Sequence, residues 1–506
     1  MSSNKTIAKN AAFLYIRMLL IMGVTLYTSR IVLAALGISD YGIYNIVGGL
    51  VAMFGFINGA MASATQRYLS FDIGAGDLDR LKKTFSVSLS IHIIIALIVI
   101  LLGETLGLWY INFKMVFPKE RLSAVNIVYQ FSLLTLFWNI IQVPYNSLLL
   151  AREKMNIYAY VSLLEAVLKL GTAIVVIYYG NDKLILYGIL TFSVSFIMRV
   201  IYQSYCRRNF AESKYKFHYD KSYFKEILNY SGWNLFGALS LVGKNQGINI
   251  VLNLFFGTVI NAAYGVAMQV QAAVTQFVNS FQSALNPQIV QSYAGGNRVR
   301  SLNLIFLGAK FSFYLMQFLA IPILMNVSWI LKFWLGNNVP EYTISFVSMS
   351  LVALLIDSVS GPFMTGIQAA GNISLYQIVV GSLNLIIPIL SYVLFKLGND
   401  PLIAFIILIG FSVLSLIIRI VFLKRFYLFT LFSFFKQVGL PILYISISAY
   451  IVSFFLNKVL IVNSLLNMIV WGGGFVMIQA IIVFLFGLNS SLRIRIVGLV
   501  RNKLKF

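Results

Sequence analysis

The stretch FLYIRMLLIMGVTLYTSR, Phe13 to Arg30, has the length and apolarity of a membrane-crossing helix, yet it holds two arginines. A cation at the middle of a membrane helix costs about 2.5–3.5 kcal/mol on insertion scales, so a chain that keeps one has a use for it. The rest of the chain resembles this segment. Of 506 residues, 59% are hydrophobic and only 10% charged, with a mean hydropathy of +0.87; an ordinary soluble domain is roughly 45–50% apolar and about 25% charged. A bilayer core of about 30 Å takes roughly 20 apolar residues per helical crossing. Such stretches give about fourteen crossings, near 11–36, 42–69, 84–111, 122–150, 157–180, 184–206, 228–256, 262–293, 302–331, 342–370, 373–396, 401–423, 437–456 and 459–487. The expected fold is therefore all-α and integral to the membrane, with no soluble domain of useful size.

Short turns join most crossings. The longer connection RRNFAESKYKFHYDKSYFKE, Arg207 to Glu226, is charged and aromatic and reads as a boundary. It divides the chain into a six-helix lobe at 1–206, a linker at 207–227, a second six-helix lobe at 228–423, and two further helices with a basic tail at 424–506. The N-terminal MSSNKTIAKN runs into a crossing longer than the apolar core of a signal peptide and has no obvious small-residue cleavage site, so it reads as retained.

Basic residues in short loops stay on the cytoplasmic side. With the N-terminus inside, the inside segments hold 23 of the 38 Lys and Arg, the outside loops 7, and 8 lie within crossings. Both termini are expected in the cytoplasm. The net charge of +23 then serves topology and contact with membrane lipids, and nucleic acid is not an expected partner.

Chemistry is sparse. Cys206 is the only cysteine and His92 and His218 the only histidines, so neither a disulfide framework nor a Cys/His metal site can be built, and no cofactor is expected. No GxxxxGK[ST] segment is present, so ATP hydrolysis is not encoded. A membrane glycosyltransferase or polymerase should carry its chemistry on a large outside loop, and the longest outside segment is about ten residues. The protein is read as a non-enzyme.

Sliding the sequence along itself until Phe13 falls on Trp233 also lays LAALG (Leu33–Gly37) on NLFFG (Asn253–Gly257) without a gap. After a three-residue insertion, DYGIYNIVG (Asp40–Gly48) faces AYGVAMQVQ (Ala263–Gln271), and ATQRYLSFDIGAGD (Ala64–Asp77) faces NPQIVQSYAGGN (Asn286–Asn297). Six crossings separate equivalent points, and an even number restores the same orientation. Two parallel repeats about an axis along the membrane normal are expected, with the last two crossings appended.

The basic-ended first helix, LG(x)3YG(x)Y (Leu36–Tyr44), the Ala64–Asp77 segment and NPQIV(x)SYA (Asn286–Ala294) together resemble the polysaccharide flippases of the multidrug/oligosaccharidyl-lipid/polysaccharide exporter superfamily. The resemblance covers nearly the whole chain. It implies a V-shaped pair of six-helix lobes around a central cavity and alternating access. It also implies export of an undecaprenyl-diphosphate-linked oligosaccharide across a bacterial inner membrane for O-antigen, capsule or exopolysaccharide. A polysaccharide polymerase and glycosyltransferases are the expected protein partners of what should be a monomer. Multidrug exporters of the sister branch carry an acid in the first helix, whereas this first helix has none and two arginines. A peptidoglycan-precursor flippase is the nearest rival, since its cargo also bears a diphosphate.

Residue patterns identify a candidate site for such an anion. Arg17 and Arg30 each lie roughly 10 Å from the middle of the first helix and about 220° apart around it, so they can either snorkel or line a cavity, but not on one narrow face. Lys244 lies near the middle of the seventh crossing, in GALSLVGKNQGINIVLN (Gly237–Asn253). Asn234, Asn245 and Asn249 share a face of about 60° there. Gln269, Gln271, Gln276, Asn279, Gln282 and Asn286 continue the theme in the eighth crossing, and Asn139, Gln142 and Asn146 in the fourth. Amides suit sugar hydroxyls because each offers donors and an acceptor; the alternative is hydrogen bonding between helices. Arg67, at the cytoplasmic end of the second crossing, is read as contacting either headgroups or the cargo phosphate. Arg199, Lys310 and Arg419 are read as interfacial anchors. The acids within the crossings, Glu104, Glu165 and Asp357, are the candidates for ion coupling. Glu165 precedes Lys169 by four residues, the favourable order for a helical ion pair, while Asp357 either pairs with Lys244 or carries a coupling proton or cation.

Overall fold

A computed structural model describes residues 4–52, 55–113, 118–216, 220–336, 339–488 and 493. Among them every regular element is helical. The basic tail expected past 488 lies outside the described residues except for Arg493, and so does His218.

The chain opens with α1 (Asn4–Ala52), α2 (Gly55–Ala75), α3 (Leu78–Leu102) and the short α4 (Leu108–Phe113). Next come α5 (Leu122–Ala151), α6 (Met155–Ile177), α7 (Lys183–Asn209) and the 74-residue α8 (Lys221–Ala294). After it run α9 (Arg298–Met325), the short α10 (Val327–Leu335), α11 (Thr343–Ala370), α12 (Ser374–Lys396) and α13 (Ile403–Phe426). The single turn α14 (Leu431–Phe434), α15 (Leu440–Val459) and α16 (Leu465–Ile482) close the order. Among the described residues, eleven helical segments are long and apolar enough to cross a membrane. The expected crossings at 42–69, 228–256 and 262–293 fall outside those eleven although their described residues are helical. In the two arms of α8, at 228–256 and 262–293, glycines and amides lower the hydropathy while the helix continues, whereas the crossing at 42–69 includes residues 53 and 54, which lie outside the described residues.

A straight helix of the length of α8 would run about 110 Å, several bilayer cores, so α8 must fold back. It does so at Gly257, whose φ of 75° and ψ of −166° leave the helical region. Across that turn the Asn261 amide donates to both the backbone and side-chain oxygens of Asn249, at 2.8 and 2.6 Å. The Tyr264 hydroxyl donates to the Asn245 carbonyl at 3.0 Å, so the two arms of the element lie side by side. In α1 the same break falls at Gly37 (φ 75°, ψ 172°). Positive φ costs an L residue about 1–2 kcal/mol and glycine almost nothing, so the two turns sit where the sequence supplies Gly.

The repeat is visible a second time where α2 and α8 end. Gly76 and Gly296 have φ of 76° and 77°. The Asp77 and Asn297 amides reach back to the Asp72 and Ser292 carbonyls at 3.2 and 3.0 Å, and Gly76 and Gly296 to Ile73 and Tyr293. This is one helix-ending motif made twice, once in each copy of the repeat. Asp77 then caps α3 by accepting the Arg80 amide at 2.9 Å.

The contacts divide the chain into two compact units. The first comprises Met1–Leu239 with Ser283–Asn297 and Gly371–Gln377; the second holds Ser240–Gln282, Arg298–Ala370 and Ile378–Phe506. The core of the first unit surrounds Phe85, Tyr129, Leu133, Tyr145, Leu148 and Tyr202. In this unit the end of α8 lies directly on the end of α2. A Cβ on Gly74 would collide with the Gln291 backbone, and the Gln291 amide donates to the Ala151 carbonyl at 2.7 Å. The second unit packs around Phe346, Phe405, Met316, Leu354 and Ile387, with a satellite in which Trp471 and Phe475 stack at 5.7 Å.

Candidate functional site

In the first unit, the Arg17 guanidinium lies 4.6 Å from the Tyr158 ring centroid, with its hydroxyl at 3.4 Å. The buried Arg17 Nε has no hydrogen-bond partner in the bundle. Arg30 is exposed. Arg67, only 8% exposed, is enclosed by the rings of Tyr68, Phe71 and Tyr230 at 4.6, 4.8 and 5.2 Å. Gly371, at a φ of +92°, makes space for it, since a Cβ there would lie 2.7 Å from Arg67 Nη2.

On α5 Asn139 is exposed, while Gln142 is buried and Asn146 half-buried. The Gln142 Oε1 and Asn146 Oδ1 atoms are both buried without a hydrogen-bond partner. Glu104 accepts from the Gln130 amide at 3.0 Å. Glu165 accepts from Lys169 at 2.7 Å, one turn further along α6. Arg199 and Lys310, expected as interfacial anchors, are instead buried, each 7% exposed. Arg199 lies over the Tyr145 ring at 4.4 Å and donates to Gln203. Their positions near helix ends suggested headgroup contact, but neighbours from elsewhere in the chain cover them.

Two charged clusters lie beyond the crossings. Asp72, past the second crossing, accepts from the Thr84 hydroxyl and pairs with Arg80 at 3.2 Å. Burial raises its carboxyl to about 6, against the opposing pull of Thr84 and Arg80. Arg121 donates to both Asp40 and Asp182, at 2.5–3.2 Å, which ties the residues just after the Gly37 turn to the starts of α5 and α7. Burial alone would raise the Asp182 carboxyl; Arg121 and the Leu184 and Ile185 amides outweigh it, so the net shift is downward.

In the second unit, Lys244 is 8% exposed and borders a cavity of about 10 Å³ together with Asn245, Tyr264, Gln271 and Phe405. No described group hydrogen-bonds its ammonium. Asp357 of α11 and Arg419 of α13 act on it electrostatically. Asn245 and Asn249 are half-buried and Gln269 and Gln276 exposed, while Gln282 donates to Ser312 at 3.0 Å through space that Gly361 leaves open. Gln269 instead borders a second cavity of about 330 Å³, otherwise apolar and walled by Trp334, Ile323 and Val347. Lys244 and Asn245 are thus gathered at one cavity; Arg30, Asn139, Gln269 and Gln276 are not. Sequence reasoning missed Tyr264 at this cavity, and it read Arg419, whose charge acts on Lys244, as an interfacial anchor. The signal for Tyr264 was the AYG segment that matches DYG in the first copy.

This arrangement of two repeated helical units is that of the transporters of the multidrug/oligosaccharidyl-lipid/polysaccharide exporter superfamily. An outward-facing multidrug resistance MATE family transporter of that superfamily superimposes with a TM-score of 0.72 at 13% identity, over 83% of this chain and 95% of that one. A MATE protein in complex with MaD3S gives 0.71 at 14% identity, over 83% and 96%. A superfamily transporter from Pyrococcus furiosus, described as having a binding pocket of reverse polarity, gives 0.68 at 13% identity, over 83% and 95%. No curated protein matches the sequence. The chain belongs to the family described as polysaccharide biosynthesis protein, whose model matches residues 7–293. It is a multi-pass membrane transporter of the polysaccharide-exporter kind.

Proposed function

We propose that this transporter is a flippase for an undecaprenyl-diphosphate-linked oligosaccharide. It would carry the unit from the cytoplasmic to the outer leaflet of a bacterial inner membrane by alternating access, for O-antigen, capsule or exopolysaccharide synthesis. The observation that carries the reading is the sign of the charge within the crossings. Eight cations, Arg17, Arg30, Arg67, Lys169, Arg199, Lys244, Lys310 and Arg419, stand against the acids Glu104, Glu165 and Asp357. Lys169 neutralises one of those acids. A positive interior attracts a diphosphate, and charge-assisted hydrogen bonds are about twice as strong as neutral ones. The amides of α5 and α8 suit the sugar hydroxyls.

Cationic drugs fit this interior poorly, because no acid stands in the first crossing. A peptidoglycan precursor shares the diphosphate and differs in its sugar and peptide. Both termini are placed in the cytoplasm by the excess of basic residues on that side. A polymerase and glycosyltransferases are the enzymes that would consume and supply the cargo. The test is reconstitution of the full chain in vesicles with a fluorescent undecaprenyl-diphosphate oligosaccharide. Protein-dependent exposure of inner-leaflet probe to an external quencher is expected. Protection equal to that in protein-free vesicles overturns the proposal, and movement of a peptidoglycan-precursor probe alone reassigns the cargo.

A further inference from the structure

We propose that the larger cavity of the second unit binds one acyl chain of a glycerophospholipid, entered from the bilayer, and that Gln269 donates to the ester carbonyl at the head of that chain. The proposal stands apart from the cargo reading.

The wall selects the chemistry of the ligand. The cavity measures about 330 Å³ and is lined by Val270, Ala273 and Val274 of α8, Ile323 of α9, one face of α10 and Val347 of α11; Gln269 is its one polar residue. Ligand pockets run from about 300 to 1,000 Å³, so this one lies at the small end, as suits a single chain. A buried water takes about two to four polar partners, and this wall offers one. No charged residue lines it, so a phosphate has no counter-charge here. Hydrocarbon fits what remains.

Position supplies the source. At about 1.5 Å of rise per residue, Val274 stands about 30 Å along α8 from its end at Ala294, and Ile323 about 38 Å along α9 from its start at Arg298. A bilayer core is about 30 Å thick, so the cavity lies at the hydrocarbon boundary opposite those two ends. The short α10 follows α9 at this level. Val327, Ile330, Leu331 and Trp334, spaced i, i+3, i+4 and i+7, give it one apolar face, and all four line the cavity. Its other face holds Lys332 and the stacked rings of Trp329 and Phe333, 5.1 Å apart. Tryptophan and lysine settle at the membrane surface. α10 therefore shields the cavity from the aqueous side and leaves entry to the bilayer.

The head of the chain decides between lipids. An ester carbonyl caps each acyl chain of a glycerophospholipid and accepts a hydrogen bond from an amide. A polyprenyl chain meets its diphosphate with no acceptor between them. Gln269 is exposed at the cavity, offers two donors and carries no charge. A neutral donor serves the carbonyl, whereas a diphosphate calls for cations that this wall lacks.

Photolabelling of the full chain in detergent micelles tests the site. A phosphatidylglycerol with a diazirine halfway along one acyl chain should label residues 269–274 and 323–334 about fivefold more than Tyr450 and Phe454, exposed side chains of α15. Excess ester-linked phospholipid should displace that label. An ether-linked phospholipid, which lacks the carbonyl, should compete about fivefold less well, the worth of one hydrogen bond. Gln269→Leu should erase the difference. Ala273→Trp fills the cavity and should cut the wall label about fivefold while the label on α15 stays unchanged. Wall label no greater than that on α15, or label that excess phospholipid leaves in place, overturns the site. Displacement by undecaprenyl diphosphate at a lower concentration than by phospholipid overturns the choice of occupant. Equal competition by ester and ether lipids overturns the contact with Gln269.

Discussion

Gly37 and Gly257 occupy equivalent places in the two copies of the repeat and adopt the same left-handed backbone, each with φ of 75°. Neither has an atom within 4 Å of where a Cβ would lie, so conformation and not space demands glycine at both. Alanine at either position should lower stability by about 1–2 kcal/mol, read as a shift in thermal unfolding in detergent. Asparagine should cost less than alanine, since its side chain tolerates this region better. Equal tolerance of Ala and Asn would show that the turns are not held in this conformation.

The Arg121 contacts give a pH dependence with a definite sign. Asp182 has a lowered carboxyl pKa because Arg121 and two amides outweigh its burial. A depressed acid contributes stability above its unfolded pKa of about 3.9, and that contribution is lost as pH falls through the folded value. Unfolding temperature should therefore drop on acidification below about pH 4. Arg121→Ala should remove part of that dependence and cost on the order of 1 kcal/mol at neutral pH, as suits a network still open to solvent. An unchanged acid profile in the variant would remove Arg121 as its cause.

The features of the fold and site were not equally open to sequence reading. The glycine turns could be found because LAALG and NLFFG align without a gap and each ends in the one residue that bends so cheaply. The amides of α8 could be found because polar residues in a membrane helix need partners. Arg67 was harder. Its position near a helix end fits a headgroup contact, but its burial depends on Tyr230 and Gly371, which come from distant parts of the chain. Arg199 failed for the same reason, since Tyr145 belongs to another helix. Hydropathy gives depth along a helix, and depth does not tell which neighbours cover a side chain.

Arg67 and Gly371 should respond together. Gly371→Ala adds a Cβ 2.7 Å from Arg67 Nη2 at a φ of +92°, so strain and displacement combine. A loss of about 2 kcal/mol is expected in thermal or denaturant unfolding. Arg67→Lys should also destabilise, because an ammonium lacks the planar face that stacks on the rings of Tyr68, Phe71 and Tyr230. Full stability of Arg67→Lys would mean that charge alone, and not stacking, holds this side chain.

Arg30 is exposed, so its substitution should leave unfolding unchanged and report on cargo alone. If its charge attracts the diphosphate, Arg30→Asp should slow movement of the lipid-linked probe about tenfold, roughly 1.4 kcal/mol of barrier. Arg30→Gln should fall between, and Arg30→Lys should keep most of the rate. Equal losses from Gln and Lys would point to shape rather than charge.

Gln142 separates stability from function. Its Oε1 atom is buried without a hydrogen-bond partner, an arrangement that costs about 1–3 kcal/mol when nothing answers it. Methionine has nearly the same shape and no such oxygen. Gln142→Met should leave unfolding unchanged or raise its midpoint, because a poorly satisfied polar group is removed and the packing volume kept. If the oxygen awaits a sugar hydroxyl, the same substitution should slow oligosaccharide movement while a short lipid-diphosphate probe without sugars moves as before. Asn146, one turn further along α5 with a buried and unpartnered Oδ1, should behave alike when changed to Leu. A stabilised protein that still moves the oligosaccharide at the full rate would place both amides outside the path of the sugar.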